Sequence, residues 1–238
     1  MGWTATNIPD QTGRVAVVTG ANGGLGLETT RELARKGATV VMGVRNREKA
    51  ERAVDDIVAE IPDARLELRE LDLASLASVE AFAEGVVNEH PAIDLLINNA
   101  GVMAIPYAST PDGFEMQFGT NHLGHFALTA RLIPAFVHTS GARIVTVTST
   151  ARHAAAKLNP EDVRMKDNYS AWGAYGRSKI ANMDFALELN DRLASAGAQA
   201  ASLVAHPGFS NTDLQTHSAR AHGGASQRFF AKTVQWVG

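Results

Sequence analysis

Thr19-Gly20-Ala21-Asn22-Gly23-Gly24-Leu25-Gly26 is the stretch on which the reading of this chain turns. It follows the β-rich run Arg14-Val15-Ala16-Val17-Val18-Thr19 and opens the helical pattern of residues 25–36. Strand, glycine-rich turn and helix, in that order, make an anion-binding device. Bare backbone lets the chain turn sharply and come close to a pyrophosphate, and the N–H groups at the positive end of the helix then face it. The turn by itself is a weak signal; its place after a first strand and before a helix supplies the context it needs. Its glycines, Gly20, Gly24 and Gly26, are spaced G-x-x-x-G-x-G rather than G-x-G-x-x-G.

Outward from this turn, short apolar runs alternate with longer helical patterns. Strands are predicted at residues 14–19, 38–44, 65–71, 93–97, 143–148 and 200–205. Most are nearly continuous in apolar residues, the mark of strands covered on both faces. Residues 65–71 alternate instead, which predicts a wetter outer face. Helices are predicted at 25–36, stopped by Gly37; 46–60, stopped before Pro62; 75–89, capped by Ser75; 114–138; and 175–196. This alternation predicts an α/β fold with a doubly wound, mostly parallel sheet. No linker-like segment divides the chain, so residues 1–238 read as one domain.

Composition narrows the function classes. A formal net charge of −3 over 238 residues offers no basic field for nucleic acid. Without cysteine there is no disulfide, thiolate metal site or cysteine nucleophile. No apolar run is long enough to suggest a membrane span, and no signal-peptide pattern opens the chain, so a cytoplasmic location is expected. His122 and His125 lack further ligands at metal-binding spacing, so no metal site is predicted.

Three groups of residues carry chemistry. In Tyr175-Gly176-Arg177-Ser178-Lys179, tyrosine and lysine lie one helical turn apart on one face. A nearby ammonium favours phenolate and would make the phenol a usable acid or base near neutral pH. Ser149 follows the fifth strand, where ligand-facing residues of such sheets sit, and its hydroxyl can bond a substrate oxygen. After the second strand stands Arg45-Asn46 and no carboxylate. An acidic residue about 20 positions past the turn would hold a ribose hydroxyl of NAD, whereas Arg45 can pair with a 2′-phosphate, so NADP(H) is favoured over NAD(H).

The glycine spacing, Asn98-Asn99-Ala100-Gly101, Ser149, Tyr175…Lys179 and Pro207-Gly208 together resemble the short-chain dehydrogenase/reductase family, from about Val15 to Thr212. The resemblance implies a Rossmann fold and an oxidoreductase that moves hydride between a nicotinamide and a small carbonyl or alcohol substrate. It implies catalytic roles for Asn121, Ser149, Tyr175 and Lys179. The tyrosine would act as general acid or base, the lysine would hold the nicotinamide ribose, and the asparagine would hold a helix distortion and a relay water. For the cofactor it implies contacts from Gly20, Asn22, Gly24, Leu25, Gly26, Arg45, Asn46, Asp72, Leu73, Asn99, Ala100, Gly101, Tyr175, Lys179, Pro207, Gly208 and Thr212. Asp72 and Leu73 would flank the adenine, and Thr212 the nicotinamide carboxamide. A homodimer or homotetramer built on the helical patterns near 123–137 and 180–193 is similarly implied. A dinucleotide-binding regulator of the same fold without catalysis is the alternative, as is an isomerase using transient oxidation.

Two features depart from the common pattern. Residues 150–174 separate Ser149 from Tyr175, about twice the family's usual interval. They read as a substrate-loop insertion over the reaction centre, carrying Arg152, His153, Lys157, Arg164, Lys166, Tyr169 and Trp172. That spacing, with Arg45-Asn46, resembles the retinol-dehydrogenase-like and WW-domain-oxidoreductase-like branch. Substrate choice is left to such loops. The chain also stops at Gly238, soon after Phe229-Phe230-Ala231-Lys232, where the resemblance implies further helices and a seventh strand. A truncated C-terminal end is therefore expected.

Overall fold

The computed structural model describes residues 2–155, 158–159, 161–167 and 169–208. Thr212, Lys157 and the C-terminal stretch expected to be truncated lie outside the described residues.

Six strands form one parallel sheet: β1 (Val15–Thr19), β2 (Thr39–Val44), β3 (Arg65–Glu70), β4 (Leu95–Asn98), β5 (Arg143–Val147) and β6 (Ala201–Ala205), in the spatial order β3-β2-β1-β4-β5-β6. Every pairing is parallel, and the register sets Val18 beside both Met42 and Ile97. Helices α1 (Gly24–Arg35), α2 (Arg47–Glu60), α3 (Leu76–Glu89), α4 (Met116–Phe118), α5 (Gly124–Phe136) and α6 (Ala171–Ser195) connect and flank the strands. The order reverses between β1 and β4, and a crevice opens beyond their carboxyl ends. Sheets of this kind bind ligands there.

Two apolar layers hold the sheet. On one face Val17, Val41, Leu96 and Ile144 pack against Phe82, Leu128, Leu132 and Phe136 from α3 and α5. On the other, Ala16, Val18, Val40 and Met42 meet Leu33 and Ala34 of α1 and Ala50 of α2. Fully burying one such large side chain is worth about 1.5–3 kcal/mol. β3, at one edge of the sheet, buries none of its residues completely, and its four inner residues are all half-buried rather than alternating as its sequence pattern suggests.

The helix expected across 114–138 is not continuous. A π-helical turn, Gly119–Leu123, separates α4 from α5 and carries Asn121 at its centre. Period counting does not see such a turn, because one inserted residue barely disturbs the apolar stripe. α6 begins four residues earlier than expected. The Ser170 side chain caps it, accepting from the Gly173 N–H at 3.2 Å. The 150–174 segment therefore contributes a 3-10 turn, Thr150–Ala154, at one end and the first helical turn of α6 at the other.

Candidate active site

The turn after β1 is shaped by what its glycines avoid. Gly20 and Gly24 adopt φ of +65° and +51°, which an L side chain resists. A Cβ on Gly26 would lie 2.3 Å from the Gly20 carbonyl oxygen and 2.6 Å from Asn99 Nδ2. One on Gly20 would press on Ala100 Cβ at 3.1 Å. Strand-end residues fasten the two chains together across the switch point. Asn99 Nδ2 donates to the Thr19 carbonyl at 2.9 Å, and the N–H groups of Asn99 and Ala100 both donate to Thr19 Oγ1 at 3.0 Å. α1 opens at Gly23, and no side chain caps it. Its first turn thus faces the crevice with bare backbone N–H groups beside a wall of small residues. This cradle fits a pyrophosphate and leaves no room for a bulkier side chain.

Around it stand the other residues expected to contact a nucleotide. Arg45 is exposed just past β2. Asn46 is engaged structurally: its side chain caps α2, accepting from the Lys49 N–H at 2.8 Å, while its carbonyl accepts from Asn22 Nδ2 at 3.3 Å. Asp72 shapes the turn into α3, with Oδ1 accepting from the Ala74 N–H at 3.0 Å. Leu73 is buried, and its carbonyl oxygen would sit 2.3 Å from a Cβ on Gly124, which explains glycine at the start of α5. Pro207 and Gly208 are exposed beyond β6, where the Gly208 N–H donates to His206 Nδ1 at 2.7 Å. His206 thus shapes its loop.

Of the four residues expected to carry the chemistry, all converge beyond the ends of β4 and β5. Two of them meet at Gly101: a Cβ there would lie 3.0 Å from Asn121 Oδ1 and 3.8 Å from Lys179 Nζ. The Asn121 side chain is wholly committed. Its Oδ1 accepts from the Val102 N–H at 2.8 Å, and its Nδ2 donates to the Val102 carbonyl at 2.9 Å and to Ser178 Oγ at 3.0 Å. Ser178 in turn donates to the Tyr175 carbonyl at 2.7 Å. Asn121 is therefore tied to the backbone of the helix that presents the tyrosine. The Ser149 side chain interacts with the Tyr175 phenol from the other side and caps its own 3-10 turn, accepting from the Ala151 N–H at 3.3 Å.

The electrostatics differ from expectation at one point. Burial pushes the Tyr175 phenol above its ordinary value, and its interaction with Ser149 pulls it part of the way back. Lys179 does not depress it in this arrangement. Its Nζ stands 5.7 Å from the ring centroid and donates to the Val147 carbonyl at 3.1 Å. Burial lowers the lysine itself to about 8. An ammonium at that distance, partly discharged by its own burial, is a weak acidifier.

The sequence did not single out several residues that build this site. Ser178 is one; Thr148, whose Oγ1 donates to the Lys179 carbonyl at 2.7 Å, is another. A buried polar knot lies beneath the insertion. Glu115 accepts from the N–H groups of Gln117 and Phe118, at 2.9 and 2.7 Å, and from the Tyr169 hydroxyl at 3.2 Å. Gln117 Nε2 donates to Tyr169 Oη at 2.8 Å and to the Ala171 carbonyl at 2.9 Å. Tyr169, expected on a substrate-facing loop, is thus a strut that pins the insertion to α4 and α6. Met165 completes it by packing on Phe118, Ala174 and Ala181.

Known proteins resemble this chain in sequence and fold. Retinol dehydrogenase 14 of Mus musculus is 44% identical over 215 residues, covering 86% of this chain and 64% of that protein. Retinol dehydrogenase 13 of Homo sapiens is 40% identical over 226 residues, covering 94% of this chain and 67% of that one. The chain thus spans about two thirds of the length of these relatives. A crystal structure of a protein from Mycobacterium paratuberculosis superposes with a TM-score of 0.80 at 48% identity, covering 97% of this chain and 80% of that one. The family model described as short chain dehydrogenase matches residues 14–222. With the glycine cradle, the parallel sheet and a match over most of its length, the chain belongs to the short-chain dehydrogenase family.

Proposed function

We propose that this protein is an NADP(H)-dependent oxidoreductase that interconverts an alcohol and a carbonyl compound, with Tyr175 as the proton donor or acceptor. The observation that carries the reading is Asn121 Oδ1 and Lys179 Nζ beside Gly101, one residue past the pair that closes the glycine cradle, with Lys179 Nζ 5.7 Å from the Tyr175 ring centroid and Ser149 against the Tyr175 phenol. The dinucleotide, when bound, supplies or takes up the hydride. Gly20, Gly24, Leu25 and Gly26 would hold its pyrophosphate against the start of α1, and Asn22 would brace that turn through Asn46. Asp72 and Leu73 would flank the adenine, and Asn99, Ala100 and Gly101 would line the crevice. Arg45, exposed in the Arg45-Asn46 link between β2 and α2, which itself holds no carboxylate, suits a 2′-phosphate. Pro207, Gly208 and Thr212 would close the nicotinamide end.

In the reductive direction a neutral phenol is the form required, and the raised pKa of Tyr175 keeps it neutral at pH 7. Ser149 would hold the substrate oxygen beside that hydroxyl. Lys179 Nζ would turn from the Val147 carbonyl toward a ribose hydroxyl, and Asn121 would keep the π-turn open beside it. The insertion, held by Tyr169 and Met165, would form a wall of the substrate site. Retinol dehydrogenases among its relatives make apolar, extended alcohols and aldehydes the first compounds to try. Phe126 of α5, about half exposed, lies with its ring centroid 5.3 Å from that of Phe185 on α6, and this pair suits the face on which a second copy would pack. The test is NADPH oxidation followed at 340 nm with a panel of aliphatic, aromatic and retinoid aldehydes. Turnover that needs NADPH and disappears in Tyr175→Phe supports the proposal. Tight nucleotide binding with no turnover on any carbonyl or alcohol would favour the regulator instead.

A further inference from the structure

His125 lies at the start of α5, fully buried, between the two halves of the site. Its Nδ1 is 2.9 Å from the Asn121 carbonyl oxygen, and its Nε2 is 2.9 Å from Thr19 Oγ1. A carbonyl oxygen only accepts, so Nδ1 must carry hydrogen. Burial lowers this ring to about 3, with Lys179 and His122 also opposing a second proton, so the ring is neutral and Nε2 is bare. The Thr19 hydroxyl must then donate to Nε2. Its other acceptor, the Ile97 carbonyl, is farther away at 3.3 Å. Both lone pairs of Thr19 Oγ1 are already taken by the N–H groups of Asn99 and Ala100. The hydrogen-bond inventory closes with one tautomer and one direction: Asn99 and Ala100 N–H to Thr19, Thr19 O–H to His125, His125 N–H to Asn121.

We propose that His125 is a positioning residue that joins the nucleotide turn to the π-turn, holding Thr19 with one ring nitrogen and the Asn121 backbone with the other. The inference rests on the oxidoreductase reading for its kinetic consequence, though not for its geometry. The two ends of the ring act on different steps. The Thr19 end orders the β1 turn and the Asn99-Ala100 segment against which a nucleotide would lie. The Asn121 end fixes the π-turn whose side chain reaches, through Ser178, the backbone of Tyr175. A histidine that merely filled space would couple neither.

Two substitutions separate the ends. Asparagine places an amide nitrogen near the Nδ1 position and leaves Thr19 only the longer bond to the Ile97 carbonyl. Glutamine reaches the Nε2 position and releases the Asn121 carbonyl. One net hydrogen bond corresponds to roughly a tenfold change. His125→Asn is therefore expected to raise the NADPH dissociation constant about tenfold with kcat nearly intact. His125→Gln is expected to lower kcat about tenfold with nucleotide affinity nearly intact. In a Thr19→Val background, His125→Asn should weaken nucleotide binding no further, because the bond it removes is already gone. Equal losses in kcat and affinity for both variants, or additive effects with Thr19→Val, overturn the proposal. Long-range ¹H–¹⁵N spectra of the wild-type protein give a readout independent of turnover. An unprotonated Nε2 that shifts in Thr19→Val is expected, and a protonated Nε2 overturns the tie. A wild-type protein that binds no nucleotide and turns over no carbonyl defeats the oxidoreductase reading instead. The tie is then decided by those spectra and by the coupling of Thr19→Val and His125→Asn in thermal stability.

Discussion

The two halves of the crevice are built from opposite materials. On the nucleotide side, residues 19–26 and 99–101 meet through backbone and glycine, and the Thr19 and Asn99 side chains serve mainly to satisfy main-chain groups. On the reaction side, Asn121 and Lys179 are tied by side-chain hydrogen bonds to residues far away in sequence, Ser178 and Thr148, and Ser149 meets the Tyr175 phenol across the insertion. The first half fails when an atom is added. The second fails when a polar atom is removed. A pyrophosphate asks only for close, unobstructed N–H groups, whereas proton transfer asks for particular atoms at particular places.

The sharpest test of this division is Tyr175→Phe. It should lower turnover about a thousandfold. NADPH affinity, followed by fluorescence, should change less than about twofold. Loss of nucleotide binding as well would dissolve the distinction between the halves. Gly26→Ala tests the other side. Its methyl would meet a backbone carbonyl at 2.3 Å, and neither strand nor helix can retreat. Unfolding in urea should show a loss of about 3 kcal/mol, with nucleotide binding falling in step. A variant of unchanged stability would mean the cradle is looser than its geometry.

Lys179→Met probes the cost of placing a charge in the reaction half. The folded-state value of Lys179 lies near 8, below the ordinary 10.5, so burial destabilises the nucleotide-free protein at every pH below about 8. Between about 8 and 10.5 the unfolded chain keeps its proton longer than the folded one, and the penalty fades as pH rises. Without nucleotide, Lys179→Met should therefore be more stable at pH 7. The gain is on the order of 3 kcal/mol less the lost bond to Val147, and it should vanish by about pH 10.5 while turnover is abolished. Thermal melts at pH 7, 9 and 10.5 measure it. The smallest effect is expected from Arg45→Ala, which should weaken NADPH binding about tenfold and leave NADH unchanged. Equal effects on both nucleotides would remove Arg45 from the phosphate subsite.

Much of this was legible in the chain, for physical reasons that differ by region. Strands β1, β2 and β5 announce themselves because covered parallel strands need apolar residues on both faces. Gly20, Gly24 and Gly26 are legible because a left-handed backbone at the first two and a backbone clash at the third favour the one residue without a Cβ. Tyr175 and Lys179 are legible because helical spacing alone puts them on one face. The π-turn at 119–123 left no mark in the apolar period, and only the family resemblance implied a helix distortion at Asn121. The phenol's pKa was not legible, since the lysine four residues away was expected to lower it. Burial, which no local spacing encodes, overrides that charge.

What the amino-acid order determined by itself is the parallel sheet, the position of the anion turn and the identity of the paired tyrosine and lysine. Each follows from local periodicity or from the volume of a single residue. What only the folded chain decided is how polar atoms are paired. Tyr169 became a strut for Glu115 and Gln117, Asn46 a helix cap, and His125 a bridge from Thr19 to Asn121. A side chain's donors and acceptors are fixed by its chemistry, but its partners are fixed by which distant segments the core brings within about 3 Å.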